Sequence, residues 1–280
     1  MGTHGTIQIL GEESEKDKIL SYIKSGFMEV KRIENLLSHY ACDSEVSILN
    51  QNGFLEKPSE DLIYLLNKSK YFFELSNGLF DITIQPLLEL INDGFTDSID
   101  LNRRLEKVRD IINFNYLEFD KSRVVFKKSG VKITFGGIAK GYAVDRVIEV
   151  LKKMGVNTAL VDIGGDIKAI SKKYAWIVGV RNPFRKDEIV TKIRIRNQAI
   201  ATSGNYERVH IVRPDGLPTN VASVTILAEN AVDADALATI GVLIGEEMLQ
   251  IIENLPNTEA LIIMNNGEQI RTPNFNDFEE

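Results

Sequence analysis

Apolar residues recur every three or four positions from Lys16 to Leu37, at Ile19, Ile23, Phe27, Val30, Ile33, Leu36 and Leu37. A stripe of that period predicts an amphipathic helix. Ahead of it, residues 5–10 alternate as a strand does, and Gly11 closes the run. Residues 38–58 are polar and broken. Pro58-Ser59-Glu60 then reads as a helix entry, Leu62, Leu65, Leu66, Tyr71 and Phe72 carry the helix to about Leu75, and Ser76-Asn77-Gly78 stops it. A polar loop over 92–100 leads to a helix over 101–109 and short strands at 115–119 and 123–126. The middle of the chain predicts a strand at 131–134, a helix at 138–154 capped by Gly155, and a strand at 158–163. Further strands are expected at 176–180, 189–195, 199–202, 223–228 and 261–264, with a nearly all-apolar helix at 233–244 and a short one near 246–253.

Helices and strands are both plentiful without strict alternation, so the expected class is α+β, with mixed or antiparallel sheets flanked by helices. No linker separates two domains, and one domain over residues 1–280 is expected.

Composition narrows the function. Forty acidic against 33 basic residues give a net charge of −7, which argues against a nucleic-acid binder that neutralises phosphates. One cysteine and three histidines exclude a disulfide framework and Cys/His zinc sites. Any metal must therefore be held by oxygen. No apolar run reaches a membrane span, and no export signal opens the chain, so a cytoplasmic location is expected.

Three segments carry candidate chemistry. In residues 133–145 (ITFGGIAKGYAVD) paired glycines lie between a strand and a helix start, where free N–H groups and the helix dipole favour an anion and Lys140 adds a cation. Close strand–helix packing explains the same glycines, with Lys140 solvated. Asp162-Ile-Gly-Gly-Asp166 reads first as a glycine turn with its aspartates capping N–H groups. Asp235 and Thr239, four apart, place oxygens on one face of an apolar helix, as a hard cation requires; a capping Asp and a back-bonded Thr account for the pair as well. His210 sits where a proton-transfer group or a structural hydrogen-bonder would serve, and His39 and His4 look like surface histidines.

Seven segments in order make the chain resemble the ApbE family of FAD:protein FMN transferases. They are Met1-Gly-Thr3, Ser38-His-Tyr40 with Asp43-Ser-Glu45, Gly78-Leu-Phe-Asp-Ile-Thr83, GGIAKGYAVD at 136–145, GGDI at 164–167, ATSGNYER at 201–208 and ADALAT at 234–239. The resemblance implies a cleft for FAD and a Mg²⁺-assisted transfer of FMN to a Thr or Ser hydroxyl of an acceptor flavoprotein, such as a subunit of a membrane redox complex, with release of AMP. It assigns the metal to Asp235, Thr239 and the carbonyl of Gly137, with Ala238 beside them. FAD contacts fall on Met1, Tyr40, Leu79, Phe80, Asp81, Thr134, Lys140 and His210, the last two also as catalytic groups. Thr134 stands where the family usually has an acidic residue, Arg213 where it usually has Asp, and the segment before His210 is shorter. The same residues also suit an FAD pyrophosphatase giving free FMN and AMP, or a non-catalytic FAD-binding protein.

Overall fold

The computed structural model describes residues 2–92, 98–185, 187–205 and 211–280. Met1 and His210 lie outside the described residues, as does part of the loop expected at 92–100. In chain order the strands are β1 (Gly5–Ile9), β2 (Phe54–Glu56), β3 (Leu117–Phe119), β4 (Arg123–Phe126), β5 (Ala159–Ile163), β6 (Asp166–Ile170), β7 (Trp176–Arg181), β8 (Ile189–Ile195), β9 (Ala199–Gly204), β10 (Val221–Ala228), β11 (Glu259–Met264) and β12 (Gln269–Arg271). The helices are α1 (Lys16–Leu37), α2 (Glu45–Asn52), α3 (Glu60–Leu75), α4 (Gln85–Asn92), α5 (Ser98–Arg109), α6 (Ala139–Lys153), α7 (Ala231–Ile244) and α8 (Met248–Ile252). This is the α+β arrangement the sequence predicts. The chain gathers into two compact units, one of Met1–Ile33, Gly137–Ile211 and Thr219–Glu280, the other of Glu34–Gly136 and Val212–Pro218.

The first unit is built on a seven-stranded antiparallel sheet in the order β1-β5-β6-β9-β10-β11-β12. All eight residues of β10 are buried, so both faces of the sheet are covered. Against one face pack Val178, Val180, Ile193 and Ile195 of the separate β7–β8 hairpin, meeting Leu160, Ala169, Ile200, Leu261 and Phe275. Helices α6 and α7 pack on β5, β6, β9 and β10. Gly164 and Gly165 turn β5 into β6 at φ 63° and 92°, values an L side chain rarely adopts.

The second unit holds the three-stranded sheet β2-β4-β3 and the helices α2, α3 and α4. The helix entry at Ser59 is as expected: its hydroxyl accepts from Leu62 N, 3.1 Å, and its own N–H and hydroxyl donate to Glu45. Two expectations fail here. Residues 38–58, polar on average, contain α2, because Ser44 caps it and Val46 and Leu49 face the core. Residues 131–134 are extended without being a strand, since the Asn50 side chain takes both the N–H and the C=O of Ile133, at 2.7 and 2.9 Å, in place of a neighbouring strand.

Candidate active site

In the first unit the glycine-lysine segment and the aspartate helix come together. Gly141 lies in the first turn of α6, where backbone N–H groups have no partner within the helix. Its N–H donates to Asp235 Oδ2 at 3.0 Å. Only glycine fits: a Cβ at this position would lie 2.1 Å from the carbonyl oxygen of Ala231 and 2.8 Å from Asp235 Cβ. The favour is returned at the other helix. The Asp145 carboxylate of α6 accepts from Ala231 N at 3.1 Å and Val232 N at 2.9 Å, the first N–H groups of α7. Lys168 holds Asp145 at 2.6 Å and reaches Asn230 Oδ1 at 3.1 Å. Each helix therefore caps the other with a carboxylate. Asp235 is not a cap of its own helix, which corrects one of the two readings left open by the sequence.

At the same junction Lys140 forms a short ion pair with Asp166 Oδ2 and a second one, at 3.3 Å, with Asp235 Oδ1. Lys140 is thus not a solvated surface lysine. Both carboxylates are buried, each 1% exposed. Among the described residues Asp166 Oδ1 has no hydrogen-bond partner. Asp166 escaped the sequence reading, which gave it a capping role; Asp162 does play that role, accepting from Gly165 N at 2.9 Å. The missed signal was the strand pattern itself: β6 begins at Asp166, so that carboxylate starts an interior strand rather than ending a turn.

Burial alone would lower the Lys140 pKa, but Asp166 and Asp235 outweigh it and hold the ammonium above the ordinary lysine value. Burial, and then the like charge of Asp235, pushes the Asp166 carboxyl well above the usual carboxylate range, against the pull of Lys140. The described residues thus set one ammonium against two buried carboxylates at this junction. One α-helical turn along α7, Thr239 places its hydroxyl 3.4 Å from Ser203 Oγ, with Ala238 fully buried beside it. Gly137 lies in the turn that leads into α6. Among the described residues no group of three or more His, Cys, Asp and Glu forms a metal cage. The set is instead two carboxylates, one with an oxygen unpartnered among the described residues, and the Thr239 hydroxyl. It suits a hard cation that keeps part of its water shell.

The second unit carries the remaining predicted contacts. Tyr40 is 76% exposed, its ring 3.9 Å from that of His39. Thr134 is buried, accepts from Gly136 N at 3.2 Å, and lies 3.2 Å from His39 Nδ1. His39 is therefore more than a surface residue; burial pushes its pKa below the usual imidazole value, with Glu89 opposing. Leu79 is half-buried, and Phe80 is buried with its ring against Phe72. Asp81 is committed within its own unit, taking Thr83 N and Oγ1 on one oxygen and Phe114 N on the other. Burial raises its pKa although these three donors pull the other way.

Comparison with known proteins identifies the family. The FAD:protein FMN transferase of Treponema pallidum is 30% identical over 274 residues, covering 85% of this chain and 75% of its own. The protein of the same name from Klebsiella pneumoniae is 28% identical over 236 residues, covering 76% and 72%. The crystal structure of an ApbE protein from Thermotoga maritima superposes with a TM-score of 0.86 at 31% identity, over 100% of this chain and 96% of that one. The model of the ApbE family matches residues 1–262, which include every residue of the α6–α7 junction, and the chain belongs to that family.

Proposed function

We propose that the protein is a Mg²⁺-dependent FAD:protein FMN transferase. The curated relatives carry that activity in their names. The observation that carries the reading to this chain is the Lys140–Asp166–Asp235 cluster, in which one ammonium meets two buried carboxylates and, among the described residues, one carboxylate oxygen is unpartnered.

In the proposed reaction a Thr or Ser hydroxyl of the acceptor attacks the FMN-side phosphorus of FAD. A new P–O bond forms to the acceptor, the bond to the bridging oxygen breaks, and AMP leaves with that oxygen. Bound Mg²⁺ supplies Lewis-acid stabilisation of charge on the pyrophosphate oxygens. Asp235 and Thr239 are proposed to hold it, with the Gly137 carbonyl and Ala238 beside them. Asp166 is proposed to line the site with its second oxygen, and Lys140 to keep the two carboxylates in register. His210 is the group we assign to receive the hydroxyl proton. Tyr40, Leu79, Phe80 and Thr134 are assigned to the flavin end.

Incubating the protein with FAD and Mg²⁺ tests the reading. AMP release that stops with EDTA, stops in Asp235→Ala, and comes with an acceptor mass gain of one FMN is the expected result. AMP release in Asp235→Ala at the wild-type rate would remove the metal assignment. Stoichiometric free FMN even with acceptor present would make the protein a pyrophosphatase.

A further inference from the structure

Positive charge is concentrated in one hairpin of this acidic chain. Residues 172–196 contain eight Lys or Arg and two Asp or Glu, a net charge of +6, whereas the whole chain stands at −7. The β7–β8 register decides where those charges point. Val178, Val180, Ile193 and Ile195 face the core, so the alternate positions Ile177, Gly179 and Arg181 on β7 and Lys192 and Arg194 on β8 face solvent. Arg196 continues the alternation and is exposed. Ile177 and Ile189, 44% and 56% exposed, set apolar contacts among the cations. At the end of this face lies a concavity of about 800 Å³ lined by Lys173, Arg194, Arg196, Asn197, Glu229 and Asn257.

The hairpin also has edges. Among the described residues β7 pairs only with β8, so its outer edge offers backbone donors and acceptors. The far edge of β8 shows what such an edge accepts. There the acidic end of the chain lies alongside: Glu279 bridges to Ile193, Glu280 N donates to Lys192 O at 3.0 Å, and the Glu280 carboxylate lies 4.0 Å from Arg194. A short acidic segment is thus already held by backbone bonding and by a cation of the outward face.

We propose that the β7 edge and the basic face of this hairpin dock an extended, acidic segment of the protein acceptor. The segment adds as a strand, main-chain hydrogen bonds give affinity, and its alternate carboxylates meet Arg181, Lys192, Arg194 and Arg196. The identity of the occupant as the acceptor rests on the transferase reading; the docking chemistry does not. The competing account is that the cations only guard an exposed strand against edge-to-edge aggregation.

The test uses the full chain and two fluorescent peptides of equal length and charge, one alternating Glu with Val and the other Glu with Pro. Fluorescence anisotropy should show the Glu-Val peptide binding to the wild type. The combined variant Lys192→Gln, Arg194→Gln, Arg196→Gln should bind it about tenfold less tightly, as expected for three exposed ion pairs lost together. The Glu-Pro peptide, which lacks every second N–H, should bind about as weakly as that. A control variant, Lys16→Gln, Lys18→Gln, Lys24→Gln on α1, should bind like the wild type. Equal binding of the two peptides, or no effect of the hairpin substitutions, overturns the proposal. Binding of the wild type to phosphatidylserine vesicles but to neither peptide also overturns it, assigning the face to a membrane. AMP release from FAD is followed in parallel: none from the wild type counts against the transferase reading, whereas unchanged release from a hairpin variant that has lost the peptide is the expected result.

Discussion

At the scale of single residues, Lys140 is where the sequence left the widest choice, between an anion-binding group and a solvated side chain. It is neither alone. Its ammonium is the counter-charge of two buried carboxylates. Lys140→Met keeps the stem and removes the charge, and taking one partner from a buried ion pair costs about 3–5 kcal/mol. A solvated lysine would cost at most about 0.5 kcal/mol. The variant should therefore melt well below the wild type, and Mg²⁺ should restore more stability to it than to the wild type, because a cation then supplies the missing charge. A melt superimposable on the wild type would return Lys140 to the surface. His39 gives a pH dependence of known sign. Burial lowers its folded pKa below the ordinary 6.5, so the unfolded chain binds more protons as the pH falls through that value. The contribution of His39 to stability is thus complete above about pH 6.5 and is lost as the pH drops through the folded value. His39→Asn should flatten the decline in denaturant midpoint between about pH 7 and 5; an unaltered slope would mean that the imidazole at Thr134 does not titrate there.

At the scale of elements, the reciprocal caps between α6 and α7 make the junction. Gly141→Ala gains helix propensity, about 0.5–1 kcal/mol, yet its Cβ falls 2.1 Å from a backbone oxygen that no side-chain rotation relieves. Overpacking costs about 1–3 kcal/mol, so the variant should lose stability, read as a lower urea midpoint. Asp145→Ala removes the acceptor of two N–H groups on α7 and leaves Lys168 without its ion pair; loss of a cap costs about 0.5–2 kcal/mol. A midpoint unchanged in either variant would show that α6 and α7 can part without penalty. These contacts also explain what the sequence disclosed. Helix periods and turn residues are local, so α1, α3, α6 and α7 were legible, as were the strands with alternating cores such as β8. Elements completed by a distant partner were not. Ile133 spends its hydrogen bonds on the Asn50 side chain instead of a strand, and α2 is helical because Ser44 caps a stretch whose Val46 and Leu49 are buried. In the site, the aspartate helix and the glycine segment were legible as separate motifs. Their meeting was not, because no spacing along the chain says that Gly141 donates to Asp235 or that Asp166 shares Lys140 with it.

At the scale of the whole molecule, the proposed cation would couple the junction to folding. Two buried carboxylates against one ammonium are an electrostatic load on the metal-free fold, expressed in the upward push on Asp166. Asp166→Asn removes that load and keeps the shape: the amide oxygen can accept from Lys140, which then pairs evenly with Asp235. Without divalent cation the variant should be at least as stable as the wild type, since the remaining pair is balanced. With Mg²⁺ the order should reverse. A ligand that binds only the folded state stabilises it by about 2.7 kcal/mol at a hundredfold excess over its Kd, and the wild type should gain this while the variant gains much less. Thermal melts of both proteins in EDTA and across a Mg²⁺ series read the two effects separately. Parallel gains in the two proteins would place the cation away from Asp166. A variant already unstable in EDTA would show that the carboxylate serves the fold and not the ion.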